Sequence, residues 1–361
     1  MYHSSFEVVY PLAVMTGRFM RIRRVIPWLC ALLLMYVVSG FSRTVSDVVS
    51  GFSGTVLAQQ RTYENGPFET IQIRPNVYVI FGAGANVTVH VGEDGVILVD
   101  TGSAATAGKV LEAVKAITSS PIRMIINTSA IADHVGGNAA VSAAGREINP
   151  DSFSDEPHAT IVSHENVLLR MTKGSGNGEE FPTEAWPSET FTSRYRSMYI
   201  NDEAVQVIKQ IGAVSDGDVL VHFRRADVIV TGDILDLRHF PVIDVARGGS
   251  IQGELAALNR LLDLTVPAMP LVLKPGRTLL VPGHGRVSDY AELVEYRDML
   301  TTIKDNIEAL IQKGMTLEQV KKANPAAGYR ARWGRESGPW TTDMFVEAVY
   351  NGLKNPPTAQ S

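Results

Sequence analysis

Two aspartates and two histidines stand where chemistry is easiest to place. Asp133 and His134 are adjacent in Ala132-Asp133-His134-Val135-Gly136-Gly137-Asn138. Asp233 closes Thr231-Gly232-Asp233, and His284 lies in Val281-Pro282-Gly283-His284-Gly285. Imidazoles and carboxylates bind divalent metals and also act as general acids and bases near neutral pH. Each of these stretches follows a short apolar run: Met124-Ile125-Ile126, Val228 to Val230, and Thr278-Leu279-Leu280-Val281. A fourth run, Val96 to Val99, ends in Asp100-Thr101-Gly102. Polar loops opening off the ends of buried strands are a common seat of sites in layered α/β proteins.

Other residues have plainer readings. His164-Glu165-Asn166-Val167 follows a strand and starts a helix, so His164 reads as a cap or packing residue. His239 lies shortly after Asp233 and reads either as a surface histidine or as a spare ligand. His90 and His222 fall on strands. Trp186-Pro187 and Phe191 are expected to form an apolar wall over the site. Gly248-Gly249-Ser250 reads as a helix start with Ser250 as N-cap, and alternatively as backbone N–H groups that receive an anion.

The elements behind these loops follow from apolar spacing. Val77 to Ile80, Val87 to Val91 and Val96 to Val99 read as strands, with a turn at Glu93-Asp94-Gly95. Val110, Leu111, Val114 and Ile117 share one helix face, limited by Pro121. Thr160 to Val162, Val205 to Ile208 and Val219 to Phe223 are further strands. Leu255, Leu258, Leu261 and Leu262 mark a helix. Leu293, Tyr296, Leu300, Ile303, Ile307 and Leu310 keep helical spacing, Gly314 is a stop, and Thr316 with Gln319 signals a capping box. Segment 174–178 is a flexible Gly/Ser stretch.

Four landmarks, Val99-Asp100-Thr101-Gly102, Asp133 to Asn138, Thr231-Gly232-Asp233 and Val281 to Gly285, occur in an order and spacing that resembles the metallo-β-lactamase superfamily. The resemblance covers residues from about 70 to 290. It implies an α/β (α+β) fold, a four-layer αββα sandwich, here with a C-terminal helical extension. The family loop pattern is Asn-Thr-His-x-His-x-Asp-His-x-Gly-Gly-Asn. In Asn127 to Asn138, Ser129 and Ile131 stand where its first two histidines belong.

The superfamily usually holds two metals. The resemblance matches its first site to Ser129, Ile131 and Val214, of which Ile and Val offer no lone pair and Ser is a poor zinc ligand. It matches the second site to Asp133, His134 and His284, with Asp233 as the carboxylate that bridges both metals. Site one is expected to be empty and site two to hold one divalent ion, with Zn(2+) as the first choice. Asp133 is the candidate catalytic base, in competition with its role as a ligand. The alternative is a metal-free pocket that binds without catalysing.

The N-terminus reads as a targeting segment. Arg18, Arg21, Arg23 and Arg24 precede an apolar run from Val25 to Val38, the pattern of an export signal. The run contains Pro27 and is shorter than the roughly 20 residues of a membrane span. An uncleaved anchor is the alternative, and a membrane enters as a partner only in that case. Met20 would begin a more typical signal. Cys30, the only cysteine of the 361 residues, falls in this run. A chain beginning at Gln59 keeps 28 basic and 36 acidic residues and no cysteine. That excludes thiolate ligands and argues against nucleic acid as a partner. The expected organisation is residues 1–58 as signal or anchor, 59–290 as the catalytic-type domain, 291–354 as the helical extension and 355–361 as a tail. The reading is an exported, hydrolase-like protein with a degenerate metal centre. Its substrate or ligand is a small molecule that the sequence does not specify, since the fold alone does not choose one.

Overall fold

Short runs of β-branched and aliphatic residues build two sheets whose central strands are buried on both faces, while the edge strands Glu69–Arg74 and Tyr195–Ile200 are largely exposed. In the first, β1 (Glu69–Arg74), β2 (Val77–Phe81), β3 (Val87–Gly92), β4 (Gly95–Val99), β5 (Ile122–Ile126), β6 (Thr160–His164) and β7 (Glu189–Phe191) lie side by side in sequence order. β1 to β4 pair antiparallel and β4 to β7 parallel. The crossover from β4 to β5 is helix α1 (Ala107–Ile117), and the β5–β6 connection carries α2 (Ala132–Val135) and α3 (Asn138–Ala143). Helix α4 (Glu165–Thr172) follows β6. The structure is a computed structural model and describes residues 67–148, 157–172, 181–268 and 276–355. The expected export segment with Cys30, the stretch 174–178 and the tail from 356 lie outside the described residues.

The second sheet has the order β12-β11-β10-β9-β8. Its strands are β8 (Tyr195–Ile200), β9 (Glu203–Lys209), β10 (Val219–Phe223), β11 (Val228–Asp236) and β12 (Leu279–His284). Helix α5 (Ile251–Leu264) connects β11 to β12, which run parallel. The chain then forms α6 (Tyr290–Gln312), α7 (Leu317–Ala323), α8 (Arg330–Trp333) and α9 (Thr342–Lys354). The expected capping box is present, with the Thr316 side chain and backbone each bonded to Gln319, and Gly314 has a positive φ of 77°.

Strand alternation sorts the apolar residues into layers. Ile97, Val99, Val219, Val221 and Phe223 meet between the sheets. Val96 and Leu98 face the other way, onto Val110 and Val114 of α1. Leu220, Ile229 and Leu280 face out of the second sheet onto Leu258 and Leu261 of α5, Tyr296 and Leu300 of α6 and Phe345 of α9. Each such buried aliphatic side chain contributes about 1.5–3 kcal/mol relative to exposure. The result is an αββα sandwich whose outer helical layer on the second sheet includes the C-terminal helices.

This architecture brings the loops together. The parallel registers Val99↔Ile126 and Ile126↔Val162 align the C-terminal ends of β4, β5 and β6. The register Asp236↔His284 does the same for β11 and β12. Asn86, after β2, clamps the far sheet: its side-chain amide donates to the carbonyls of Pro282 at 2.8 Å and Gly285 at 2.9 Å, on either side of His284.

Candidate metal centre

Asp133 and His134 sit in the short helix α2, immediately beyond β5. His134 is fully buried, and its ring is fixed from behind. Asp100, at the end of β4, accepts from His134 Nδ1 at 2.8 Å, from the Thr128 hydroxyl at 2.6 Å and from the Thr128 backbone N–H at 2.8 Å. Asp100 has a φ of 60°, a left-handed conformation that aspartate tolerates better than most residues. With Nδ1 committed to a carboxylate, Nε2 is the nitrogen turned toward the site, an arrangement that typically raises ligand basicity.

Asp233 and His284 complete the cluster. Asp233 Oδ1 lies 3.2 Å from His134 Nε2 and 3.5 Å from His284 Nε2, and Asp133 Oδ2 lies 3.2 Å from His284 Nε2. Ligand atoms of Asp133, His134 and His284 all fall within 4.8 Å of one another. Gly283 makes room for this approach, since a Cβ there would stand 2.2 Å from Asp233 Oδ1. The four residues singled out in the sequence, separated by up to 151 positions, thus meet at one point.

The fit of a cation is tested by atoms that lack partners. His134 Nε2, Asp233 Oδ1 and Asp133 Oδ1 are all buried without a hydrogen bond. His134 Nε2 and Asp233 Oδ1 are close but out of hydrogen-bond alignment. Buried polar atoms are normally paired, and an unpaired one costs on the order of 1–3 kcal/mol. Three such atoms in one cluster of imidazoles and carboxylates suit a divalent metal.

The charges of the cluster are interdependent. Burial opposes a charged ring at His134, but Asp233 and Asp100 outweigh it and hold the imidazole well above its usual range. Burial would raise both aspartates. His134 and His284 instead pull Asp233 far down, and the His284 contact with the two ring charges pulls Asp133 below the usual carboxylate range. A cation seeking Nε2 therefore competes with a proton, so its affinity rises with pH.

The cluster opens into a cavity of about 510 Å³. Ile131 and Val214 line it together with Asp133, Asp233 and His284, beside the metal-type residues as expected. Ser129 is buried inside the loop, where its Oγ accepts from the Ile131 N–H at 3.4 Å, and is not among the lining residues. Val214 belongs to a braced loop: buried Asp218 accepts from the Ser215 N–H at 2.6 Å and the Ser215 hydroxyl at 3.0 Å.

The remaining sequence candidates divide. His164 Nδ1 accepts from the Asn166 N–H at 3.2 Å and so caps α4. The Ser250 hydroxyl accepts from the Gly253 N–H at 3.0 Å, the plain N-cap. His239 lines the cavity, but its ring is engaged with the Phe240 carbonyl at 2.8 Å and Asp236 at 3.5 Å, outside the Asp133–His134–His284 group. His90 is buried, stacked on Phe223. The expected wall is elsewhere. Trp186 packs against Val135 and Met171, and Phe191 lies in the inter-sheet core. Pro339 and Trp340, from the C-terminal region, line the cavity instead. Sequence reasoning missed them, and also Arg170, Arg238 and Arg247 on the same surface, because none belongs to a landmark motif.

Comparison with known proteins agrees with the geometry. The family model of the metallo-beta-lactamase superfamily matches residues 81–148. Among solved structures, a metallo-beta-lactamase from Pontibacter korlensis aligns at 18% identity with a TM-score of 0.50, covering 65% of this chain and 99% of that one. A stereoselective inverting sec-alkylsulfatase from Pseudomonas sp. aligns at 16% identity with a TM-score of 0.52, covering 80% of this chain and 50% of its own. A double mutant of a sec-alkylsulfatase gives 18% and 0.56 over the same shares. The chain thus spans about half the length of the alkylsulfatases it matches. No curated protein matches it. At these identities the solved structures speak for the fold, and the segment that matches the family model carries the β4 and α2 landmarks.

Proposed function

We propose that this protein is an exported, metal-dependent hydrolase of the superfamily that works with one divalent ion, zinc by first choice, held by Asp133, His134, Asp233 and His284. The observation that carries this reading is the approach of ligand atoms of Asp133, His134 and His284 to within 4.8 Å of one another, in a cluster where His134 Nε2, Asp233 Oδ1 and Asp133 Oδ1 are buried and unpartnered. A divalent ion there would supply Lewis acidity and lower the pKa of a water toward about 7. The chain's own contributions are distinct. Asp100 keeps His134 in one tautomer, and Gly283 lets Asp233 approach. Asp133, whose side chain is 37% exposed, is the carboxylate open to the cavity, and its two roles, fourth ligand or acceptor of a proton from substrate water, exclude one another at any one moment. Ile131 and Val214 offer no lone pair, which supports an empty first site. Export rests on the basic and then apolar N-terminal sequence.

A second reading has its own observation. The His284–Asp133 and His134–Asp233 contacts, both at 3.2 Å, let the four side chains compensate one another's charge, which favours a metal-free binding pocket. Elemental analysis of protein purified without added metal or chelator separates the two. We expect no more than one tightly bound ion per chain and its loss in His284→Ala. Two tight ions, or full occupancy after His284→Ala, would defeat the mononuclear assignment. Metal-free protein that also refuses added zinc would establish the second reading.

A further inference from the structure

We propose that Asn86 is the positioning residue of His284. It takes over where the pairing of β12 fails, and so fixes the separation between the two halves of the cluster. The proposal goes beyond the metal reading and rests on it for the effect on cation affinity, but not for the contacts themselves. Asp133 and His134 follow a strand of the first sheet, whereas Asp233 and His284 lie on strands of the second. A cation tolerates little variation in ligand distance, so the gap between the halves has to be set by the protein.

Strand pairing breaks down just before His284. β12 is the last strand of its sheet, beside β11. The two run in regular register through Leu279, Leu280 and Val281. Then Gly232 stands opposite Pro282 and Asp236 opposite His284, so β11 advances four residues while β12 advances two. Pro282 has no N–H to donate to a ladder. A bulge at a proline leaves the local backbone in need of other partners. Asn86 meets that need with every N–H it owns. Its backbone N–H donates to the Gly283 carbonyl at 2.8 Å, and its side-chain amide donates to the carbonyls of Pro282 at 2.8 Å and Gly285 at 2.9 Å. The three acceptors bracket His284, and Asn86 is buried.

The loop before Asn86 holds the other half. The Ala85 N–H donates to the Asp133 carbonyl at 3.0 Å, and the Ser103 N–H donates to the Ala83 carbonyl at 2.7 Å. Gly84, with a φ of 105°, passes so close that a Cβ there would stand 3.1 Å from both the Cβ and the carbonyl oxygen of Asp133. Adjacent residues 85 and 86 are thus bonded one to each half of the cluster. The plain alternative is that Asn86 joins the sheets for stability alone. Another bond between the sheets, from the Val219 N–H to the Thr128 carbonyl at 3.1 Å, lands on β10 and does not reach β12, so it leaves His284 to Asn86. The other end of β4 supplies a control. There Asn201 Oδ1 accepts from the Asp94 N–H at 2.9 Å and Nδ2 donates to the Gly95 carbonyl at 3.0 Å, the same kind of bond between the sheets with no metal-type residue beside it.

The test compares Asn86→Ala with Asn201→Gly, glycine being chosen because Asn201 has a φ of 57°. Zinc affinity is read by competition with a chelator, and Tm is read on the same samples. Asn86→Ala should lower zinc affinity about 10–100-fold, the range for residues that orient a ligand from behind. Asn201→Gly should lower Tm but keep parental zinc affinity. Asn86→Ser keeps the backbone bond and one side-chain donor, so it should fall between Asn86→Ala and the parent, and it serves if the alanine variant does not fold. Hydrogen–deuterium exchange on metal-free protein should be faster at residues 280–286 in Asn86→Ala or Asn86→Ser than in the parent, and unchanged there in Asn201→Gly. Parental zinc affinity in the Asn86 variants, or an equal loss in Asn201→Gly, would overturn the positioning role. A parent that binds no zinc defeats the metal reading instead. The exchange measurement then decides on the clamp by itself, and unchanged exchange at 280–286 overturns it.

Discussion

The two sides of the cavity follow opposite rules. On one, Asp133, His134, Asp233 and His284 crowd polar atoms together, leaving His134 Nε2 and two aspartate oxygens buried without hydrogen bonds. On the other, Ile131 and Val214 bring aliphatic groups to a rim that has no need of a cation. The surrounding support differs in the same sense. Asp100, Thr128 and Asn86 exist to hold imidazoles and their loop in one orientation. The Val214 loop is held by Asp218 on Ser215, contacts that fix a backbone and orient no ligand. Building unpaired polar atoms into a core is costly unless something compensates them. The contrast therefore teaches that the polar side is maintained for a purpose the apolar side does not share.

The sharpest way to break this contrast is to make the sides alike. The triple variant Ser129→His, Ile131→His and Val214→His should bind a second divalent ion if the backbone has kept its spacing. Ile131 and Val214 already face the cavity, whereas Ser129 is turned into its loop, so residue 129 is the step most exposed to failure. Without metal the variant should be less stable than the parent, because polar rings replace apolar packing. With excess zinc, binding should offset that loss. Elemental analysis showing two ions per chain, with new hydrolysis of simple lactones or thioesters, would mark a relic of a two-metal hydrolase. A folded triple variant that holds one ion would show that the apolar side has moved and not merely changed its side chains.

A smaller effect is expected behind the polar side. Asp100 uses both carboxylate oxygens as acceptors, from the Thr128 N–H, the Thr128 hydroxyl and His134 Nδ1. Asp100→Asn has nearly the same shape but turns one acceptor into a donor, so it cannot serve all three. Loss of such a partner typically costs about 10–100-fold in metal affinity. Competition with a chromogenic zinc chelator should show a loss in that range. Unchanged affinity would mean that His134 needs no bracing and would weaken its assignment as a ligand.

Much of the fold was legible because most strands are apolar on both faces. Val96 to Val99 and Val219 to Phe223 read as strands from composition alone, since helices cover one face of each sheet and the other sheet covers the second. β8 escaped notice because it is an edge strand with Tyr195 and Tyr199 exposed, so its sequence lacks a buried stripe. The C-terminal helices were readable as helices, but not as the layer that delivers Trp340 to the cavity, because helical spacing says nothing of a partner. The polar half of the site followed from motif order. Its arginines did not: Arg170, Arg238 and Arg247 gain meaning only from the aspartates that fold beside them.

The smallest expected effect lies outside both sides and checks that acid sensitivity belongs to the scaffold. Burial holds His164 down to about 4 from an ordinary value of 6.5, and His90 likewise to about 4. Between pH 6.5 and 4 the unfolded chain takes up protons at these positions while the folded chain does not, so stability falls as pH falls. Asp218 has the reverse sign in the same window, because burial raises it to about 6 and the folded form then binds the extra proton. Glu254, which burial holds well above the usual carboxylate range, acts in the same sense as Asp218, so the comparison of variant with parent is what isolates the histidine. His164→Asn removes one titrating group but keeps a side chain able to accept from the Asn166 N–H and cap α4. Thermal melts of metal-free protein between pH 7 and pH 4 should therefore show a shallower decline of Tm in the variant than in the parent. If the two declines coincide, His164 is charged or open to water in the folded chain, and the acid response would have to come from the aspartate and histidine cluster at the cavity.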